Sequence, residues 1–153
     1  MARIILLDST PLALLCRPRG HGLGDACRRW LDSIKQAGIV ATVPEIADYE
    51  LRRELTRRGA RAGLTRLNQL LLDSAYDPIT TPIMRQAAEF WADLRRRGLP
   101  TAADVGLDAD AILAAHAALI GNPGDTVTVA TSNARHLARF PGIEAREWSA
   151  IAP

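Results

Sequence analysis

Ile4-Ile5-Leu6-Leu7-Asp8-Ser9-Thr10-Pro11 is the stretch that decides the fold class. Four aliphatic residues in a row, with no polar alternation, read as a buried strand. Asp-Ser-Thr-Pro then stops the run as a turn, and residues 12–15 start a short helix. Working outward, residues 39–43 form a second β-branched run, and 126–131 carry the same pattern. Residues 79–80 read as a short strand and 143–148 as an edge strand. Between them lie helical patterns. One runs to about residue 37 with Asp25 as its cap. Others cover 44–58 with Pro44 in the first turn, 62–72, 81–97 with Thr81 as cap, 108–119 and 132–140. Loops are expected at 17–24, 99–107 and 121–125. Strands alternating with helices predict an α/β fold with a mainly parallel sheet. Neither a linker nor a repeat interrupts it, so one domain over residues 1–153 is expected.

Composition narrows the function classes. The chain has 153 residues, 48% hydrophobic and 24% charged, with a net charge of +2. Those are ordinary globular values, which exclude disordered, collagenous and coiled-coil chains. No apolar run reaches the roughly 18 residues of a membrane span, and Asp8 interrupts the first run too early for a signal peptide. The expectation is a cytoplasmic protein with no membrane contact and with Cys16 and Cys27 as reduced thiols. Of the 19 Lys and Arg residues only Lys35 is Lys. A GC-rich genome explains that bias, and so does phosphate recognition by guanidinium forks.

In open α/β sheets the ligand site lies beyond the carboxyl ends of the strands. Asp8 falls there, either as a helix cap or as a site residue. Glu50 follows Ile46 by one turn on the helix face toward the sheet. It reads as a site carboxylate or as a half-exposed acid paired with Arg53 or Arg57. Glu54 reads as a surface partner of Arg58. Asp108 and Asp110 open an Ala-rich helix, where one of them is a cap. Thr131, Ser132 and Asn133 follow the fourth strand, as turn and cap residues or as groups that orient water or a phosphate. Carboxylates converging from three distant segments repel one another unless protons or a cation neutralise them. Oxygen-liganded Mg²⁺ or Mn²⁺ is the natural cation, and such an ion serves phosphodiester hydrolysis.

These segments together resemble the PIN-domain family, in particular the toxin ribonucleases of bacterial toxin–antitoxin pairs. Residues 4–10 resemble the family's opening strand and first acid, Asp8. Val43-Pro44-Glu45-Ile46-Ala47-Asp48-Tyr49-Glu50-Leu51 resembles the segment whose final Glu is the second acid, which matches Glu50. Asp110-Ala111-Ile112-Leu113-Ala114-Ala115-His116-Ala117 resembles the third-acid helix. Val129-Ala130-Thr131-Ser132-Asn133 resembles the fourth segment, where Asn133 occupies a position that is often Asp; Thr10 stands where many members have Asn. The resemblance implies a PIN-like three-layer α/β sandwich with a short central sheet. It also implies a metal-dependent endoribonuclease, an RNA substrate, a cognate antitoxin and a homodimer.

The expected site is therefore Asp8, Glu50 and Asp110 as ligands of Mg²⁺ or Mn²⁺, with Asn133 and Thr131 positioning water or a phosphate oxygen and Asp108 in reserve. His116 is expected as a satisfied core residue, His136 as surface or cap, and His21 as solvated. Arg17, Arg19 and the 95–97 run are candidate RNA backbone contacts. The main rival is a non-catalytic PIN-like module that binds RNA or a partner. Other phosphate chemistries fit less well. An aspartyl-phosphate hydrolase needs a second Asp where Thr10 stands, and a phospho-receiver needs a late Lys. A dinucleotide enzyme needs a Gly-rich turn in place of Ser9-Thr10-Pro11.

Overall fold

The computed structural model describes residues 1–98 and 104–153. The strands are β1 (Arg3–Leu7), β2 (Val40–Pro44), β3 (Ala75–Asp77), β4 (Thr126–Thr131) and β5 (Glu144–Glu147). They form one sheet in the order β3-β2-β1-β4-β5. Every neighbouring pair is parallel, so the sheet is wholly rather than mainly parallel. The helices are α1 (Ser9–Leu15), α2 (Gly22–Gln36), α3 (Glu45–Arg57), α4 (Arg61–Leu72), α5 (Thr81–Arg96), α6 (Asp104–Leu119) and α7 (Ala134–Leu137), and a 3₁₀ turn covers Trp148–Ala150.

The aliphatic run of β1 builds both cores. Successive side chains of a strand point to opposite faces. Ile5 and Leu7 pack with Leu12 of α1 and with Trp30, Leu31 and Ile34 of α2. Leu6 packs on the other face with Ile83 and Phe90 of α5 and Leu113 of α6. Burial of each such side chain contributes about 1.5–3 kcal/mol, which is why this short strand holds the centre of a three-layer sandwich. Helix α3 reaches both faces: Ala47 and Leu51 join the first core and Ile46 joins the second.

Several boundaries differ from the expectations, each for a local reason. The strand expected at 79–80 lies at Ala75–Asp77, because pairing of Thr42 with Ala75 and Pro44 with Asp77 fixes it there. Helix α2 begins at Gly22, inside the expected loop. Its cap is His21, whose Nδ1 accepts from the Gly24 N–H at 3.0 Å. Asp25 lies in the first turn instead and pairs with Arg28. Pro44 ends β2 and flanks α3 without a helical turn of its own, with ψ at 142°. Thr80, not Thr81, caps α5, its hydroxyl accepting from Ile83 N–H at 3.4 Å. Of the loop expected over 99–107, residues 99–103 lie outside the described residues, and α6 already begins at Asp104. Helix α7 covers only the middle of the expected 132–140. Both cysteines are free and buried. Among the described residues no helix is long and apolar enough to cross a membrane.

Candidate active site at the carboxyl edge of the sheet

Strands β1 and β4 pair in register from Arg3 with Thr126 to Leu7 with Ala130. The next residues, Asp8 and Thr131, therefore emerge side by side at the carboxyl edge. The Asp8 N–H continues the ladder to the Ala130 carbonyl at 3.0 Å. Its carboxylate is 8% exposed. Oδ1 accepts from the Ser9 N–H at 2.7 Å, which caps α1, and Oδ2 accepts from the Thr131 hydroxyl at 2.7 Å. The cap reading of Asp8 thus holds. Burial raises the Asp8 pKa above the ordinary carboxylate value, and the bonds from Thr131 and Ser9 oppose the rise without cancelling it.

Glu50 arrives by a different route. Helix α3 starts directly after β2, and anchoring of Ile46, Ala47 and Leu51 in the two cores turns Glu50 toward the same edge. Its side chain is 23% exposed, with Arg53 at 3.8 Å. Its pKa is pushed up to about 7, first by burial, then by the charge of Asp8, with Arg53 opposing and Asp110 adding to the rise. Asp110 lies in the second turn of α6, behind which Leu113, Ala114 and Ala115 are almost fully buried. Its pKa is pushed up to about 6, by burial and then by Asp8, with Arg139 opposing. The charge of Asp8 therefore reaches both other carboxylates.

The remaining expected residues fall less centrally. Asp108 is exposed, and two residues along a helix turn it about 200° from Asp110. Asn133 is exposed at the start of α7, where its side chain makes no cap bond. Its N–H donates to Thr131 Oγ1 at 2.9 Å. The role expected of Thr131 needs correction: its only proton goes to Asp8, so it holds that carboxylate in place rather than a water or phosphate. Glu54 pairs with Arg57 at 2.6 Å, not with Arg58. Glu54 has two oxygens for the guanidinium fork, and both are used. His116 is fully buried, and its Nε2 lies 2.6 Å from Asp77 Oδ2. Its Nδ1 has no partner among the described residues, so the expected core histidine is only half satisfied.

The oxygen donors that could hold a hard divalent cation are three carboxylates, two of them raised in pKa first by burial and then by the charge of the third, with Arg53 and Arg139 opposing. Among the described residues no three His, Cys, Asp or Glu side chains close around a single ion position.

The family model of the PIN domain matches residues 5–142. The chain belongs to the PIN-domain family. No curated protein matches the sequence. Solved PIN-like structures share the fold over almost the whole chain. VapBC2 from Rickettsia felis, bound to a DNA fragment from their promoter, gives a TM-score of 0.71 at 15% identity, covering 95% of this chain and 98% of that one. DNA-bound VapBC from Salmonella typhimurium gives 0.70 at 19% identity, with 97% and 99% covered. FitAcB from Neisseria gonorrhoeae gives 0.68 at 21% identity, with 96% and 99% covered. At these identities the likeness is one of fold.

Two neighbours of the candidate carboxylates were not expected beside them from the sequence. His136 Nδ1 is 3.9 Å from Asp110 Oδ2, and Arg139 acts on the same carboxylate. Asn133, His136 and Arg139 recur at intervals of three, the spacing of one helix side. That was the available signal, in a helix too short to give a clear period.

Proposed function

We propose that this PIN-domain protein is a divalent-metal-dependent endoribonuclease. It hydrolyses RNA phosphodiesters, acts in the cytoplasm as one unit over residues 1–153, and is the toxin of a toxin–antitoxin pair. The observation that carries the reading is that a PIN-domain chain sets Asp8 beside Thr131 at the carboxyl edge of the sheet, within electrostatic reach of Glu50 and Asp110. A structure gains nothing from such a cluster unless something neutralises it, and a cation does so at neutral pH. Asp8, Glu50 and Asp110 hold Mg²⁺ or Mn²⁺, directly or through water. When bound, the ion supplies water activation and charge neutralisation on the phosphodiester.

The chain's own residues do the rest. Thr131 fixes Oδ2 of Asp8, and the Ser9 N–H fixes Oδ1. Asn133 presents an uncharged amide at the same edge, where it orients water or a phosphate oxygen. Arg53 and Arg139 stand beside the acids and face the negative charge of the substrate. A groove lined by Ser9, Thr10, Ala13, Glu50 and Arg53 opens next to the cluster and gives a strand room to lie. The relatives bearing the paired names VapBC and FitAcB support an antitoxin protein as partner, and a homodimer belongs to the same reading.

One observation favours a second reading. Without a closed three-ligand group among the described residues, and with Asn133 in place of an acid, the protein would bind RNA or a partner without cutting. A single assay separates the two. Labelled RNA is expected to be cleaved by the wild type in Mn²⁺, left intact in EDTA, and left intact by Asp8→Asn, Glu50→Gln and Asp110→Asn. Full activity in those variants overturns the site. RNA that is bound but never cut by the wild type gives the case to the non-catalytic module.

A further inference from the structure

Arg95-Arg96-Arg97 and Arg135-His136 are remote in sequence, yet the fold brings the end of α5 against the segment just past α7. The Arg97 guanidinium, at the end of α5, donates to the Arg139 carbonyl just past α7 at 3.0 Å. Beneath that contact Phe90 of α5 and Phe140 meet with ring centres 5.5 Å apart, so apolar packing fixes the two elements against each other. Helix α7 in turn borders the carboxylates through His136, 3.9 Å from Asp110. Arg95, Arg96, Arg97 and Arg135 are all at the surface. Trp91 is 39% exposed, and the Arg95 guanidinium lies 5.0 Å from its ring centre. Asp93 offsets part of the charge by pairing with Arg97 at 2.9 Å.

We infer that this rim, the last turn of α5 together with α7, docks the backbone of a single-stranded RNA on its way to the Asp8–Glu50–Asp110 edge, with Trp91 as the stacking surface for an unpaired base. The inference rests on the nuclease reading and names the path its substrate takes. Guanidinium forks match phosphate oxygens. Flat aromatic rings beside cations are how sequence-tolerant single-strand tracks hold bases. Continuity favours nucleic acid over an acidic peptide: contacts run unbroken from Arg97 through Arg139 and His136 to Asp110, where a phosphodiester has to lie.

The test is binding of a short labelled single-stranded RNA to the full chain in EDTA, over a range of salt, with cleavage in Mn²⁺ measured in parallel. R95Q/R96Q/R97Q is expected to weaken binding about tenfold or more. The dependence of log affinity on log salt should fall by about 0.7 for each phosphate that is no longer neutralised. Trp91→Leu is expected to weaken binding about fivefold or more with the salt dependence unchanged, the mark of stacking. Arg29→Gln on α2 should bind as the wild type does. In cleavage the triple variant should raise KM with little change in kcat.

Wild-type affinity and salt slope in R95Q/R96Q/R97Q overturn the rim while leaving the nuclease reading intact. Loss of binding in that variant, with a wild type that never cuts, upholds the rim and removes the nuclease. A wild type that binds no RNA removes both. If the triple variant loses affinity for polyglutamate but not for RNA, the rim belongs to an acidic protein partner and the inference falls.

Discussion

The hydroxyl proton of Thr131 goes to Asp8, and its oxygen takes the Asn133 N–H, so one buried side chain ties the first strand to the segment after the fourth. Val has nearly the same shape and neither function. Thr131→Val should therefore leave a carboxylate that is 8% exposed short of one donor, at a cost of about 1–3 kcal/mol. The urea midpoint should fall at unchanged m-value, and Thr131→Ser should recover most of the loss. Equal midpoints for Thr131→Val and wild type would mean that the bond carries no weight. At this scale the placement of the candidate acids was partly legible in the sequence. Asp8 directly follows β1 and Glu50 lies on the helix that starts directly after β2, positions that can be counted off from strand ends, whereas Asp110 lies in the second turn of α6. The service of Thr131 to Asp8 was not legible, because it follows from the register of β1 with β4 rather than from any local pattern.

Elements with strong periodicity or long aliphatic runs read correctly, while those fixed by neighbours did not. Strand β3 is three residues long and mostly exposed, so no alternation marks it; its place comes from pairing with β2. The start of α2 was hidden by Gly22 and Gly24, residues of low helix propensity. Gly24 has a packing reason to be there. A Cβ at that position would lie 2.9 Å from the Leu14 carbonyl oxygen of α1 and 3.0 Å from Arg17 Cβ, whereas one at Gly22 would meet nothing within 4 Å. Gly24→Ala is expected to push α2 off α1 and lower stability by about 1–3 kcal/mol. Gly22→Ala should be neutral or stabilise by up to about 1 kcal/mol through the unfolded chain. Thermal melts of the two variants side by side decide it. A loss of the same size at both positions would deny that the α1–α2 approach is what Gly24 permits.

Across the whole molecule, the raised carboxylate pKa values make stability depend on pH, and the proposed metal site would make it depend on cations. Glu50 keeps its proton up to about 7 against an ordinary 4.5, and Asp110 up to about 6 against 3.8. Values raised in the folded state mean that the folded chain binds protons more tightly than the unfolded one. The resulting stabilisation is full below the ordinary values and is lost as pH rises through about 6 and about 7. Asp25, Glu54 and Asp125 are held low by their partners and act in the opposite sense, but only at pH below the ordinary carboxylate range. In EDTA the melting temperature should therefore rise as the solution is taken from neutral to mildly acidic, and Glu50→Gln should flatten that rise. Added Mn²⁺ should lift the neutral end of the wild-type curve, since a ligand at about 100 times its dissociation constant adds roughly 2.7 kcal/mol. A wild-type curve in EDTA that is flat or falls over that interval contradicts the clustering. The same edge also has a history in time. Thr131 and Asp8 are 123 positions apart, and the central strand β1 leaves the ribosome well before β4. It waits with one side open until β4 arrives, because such distant pairings close late. A nascent or broken chain that stops short of Thr131 lacks the strand that completes this edge. The edge beside Asp8 is thereby completed only once β4 has been made.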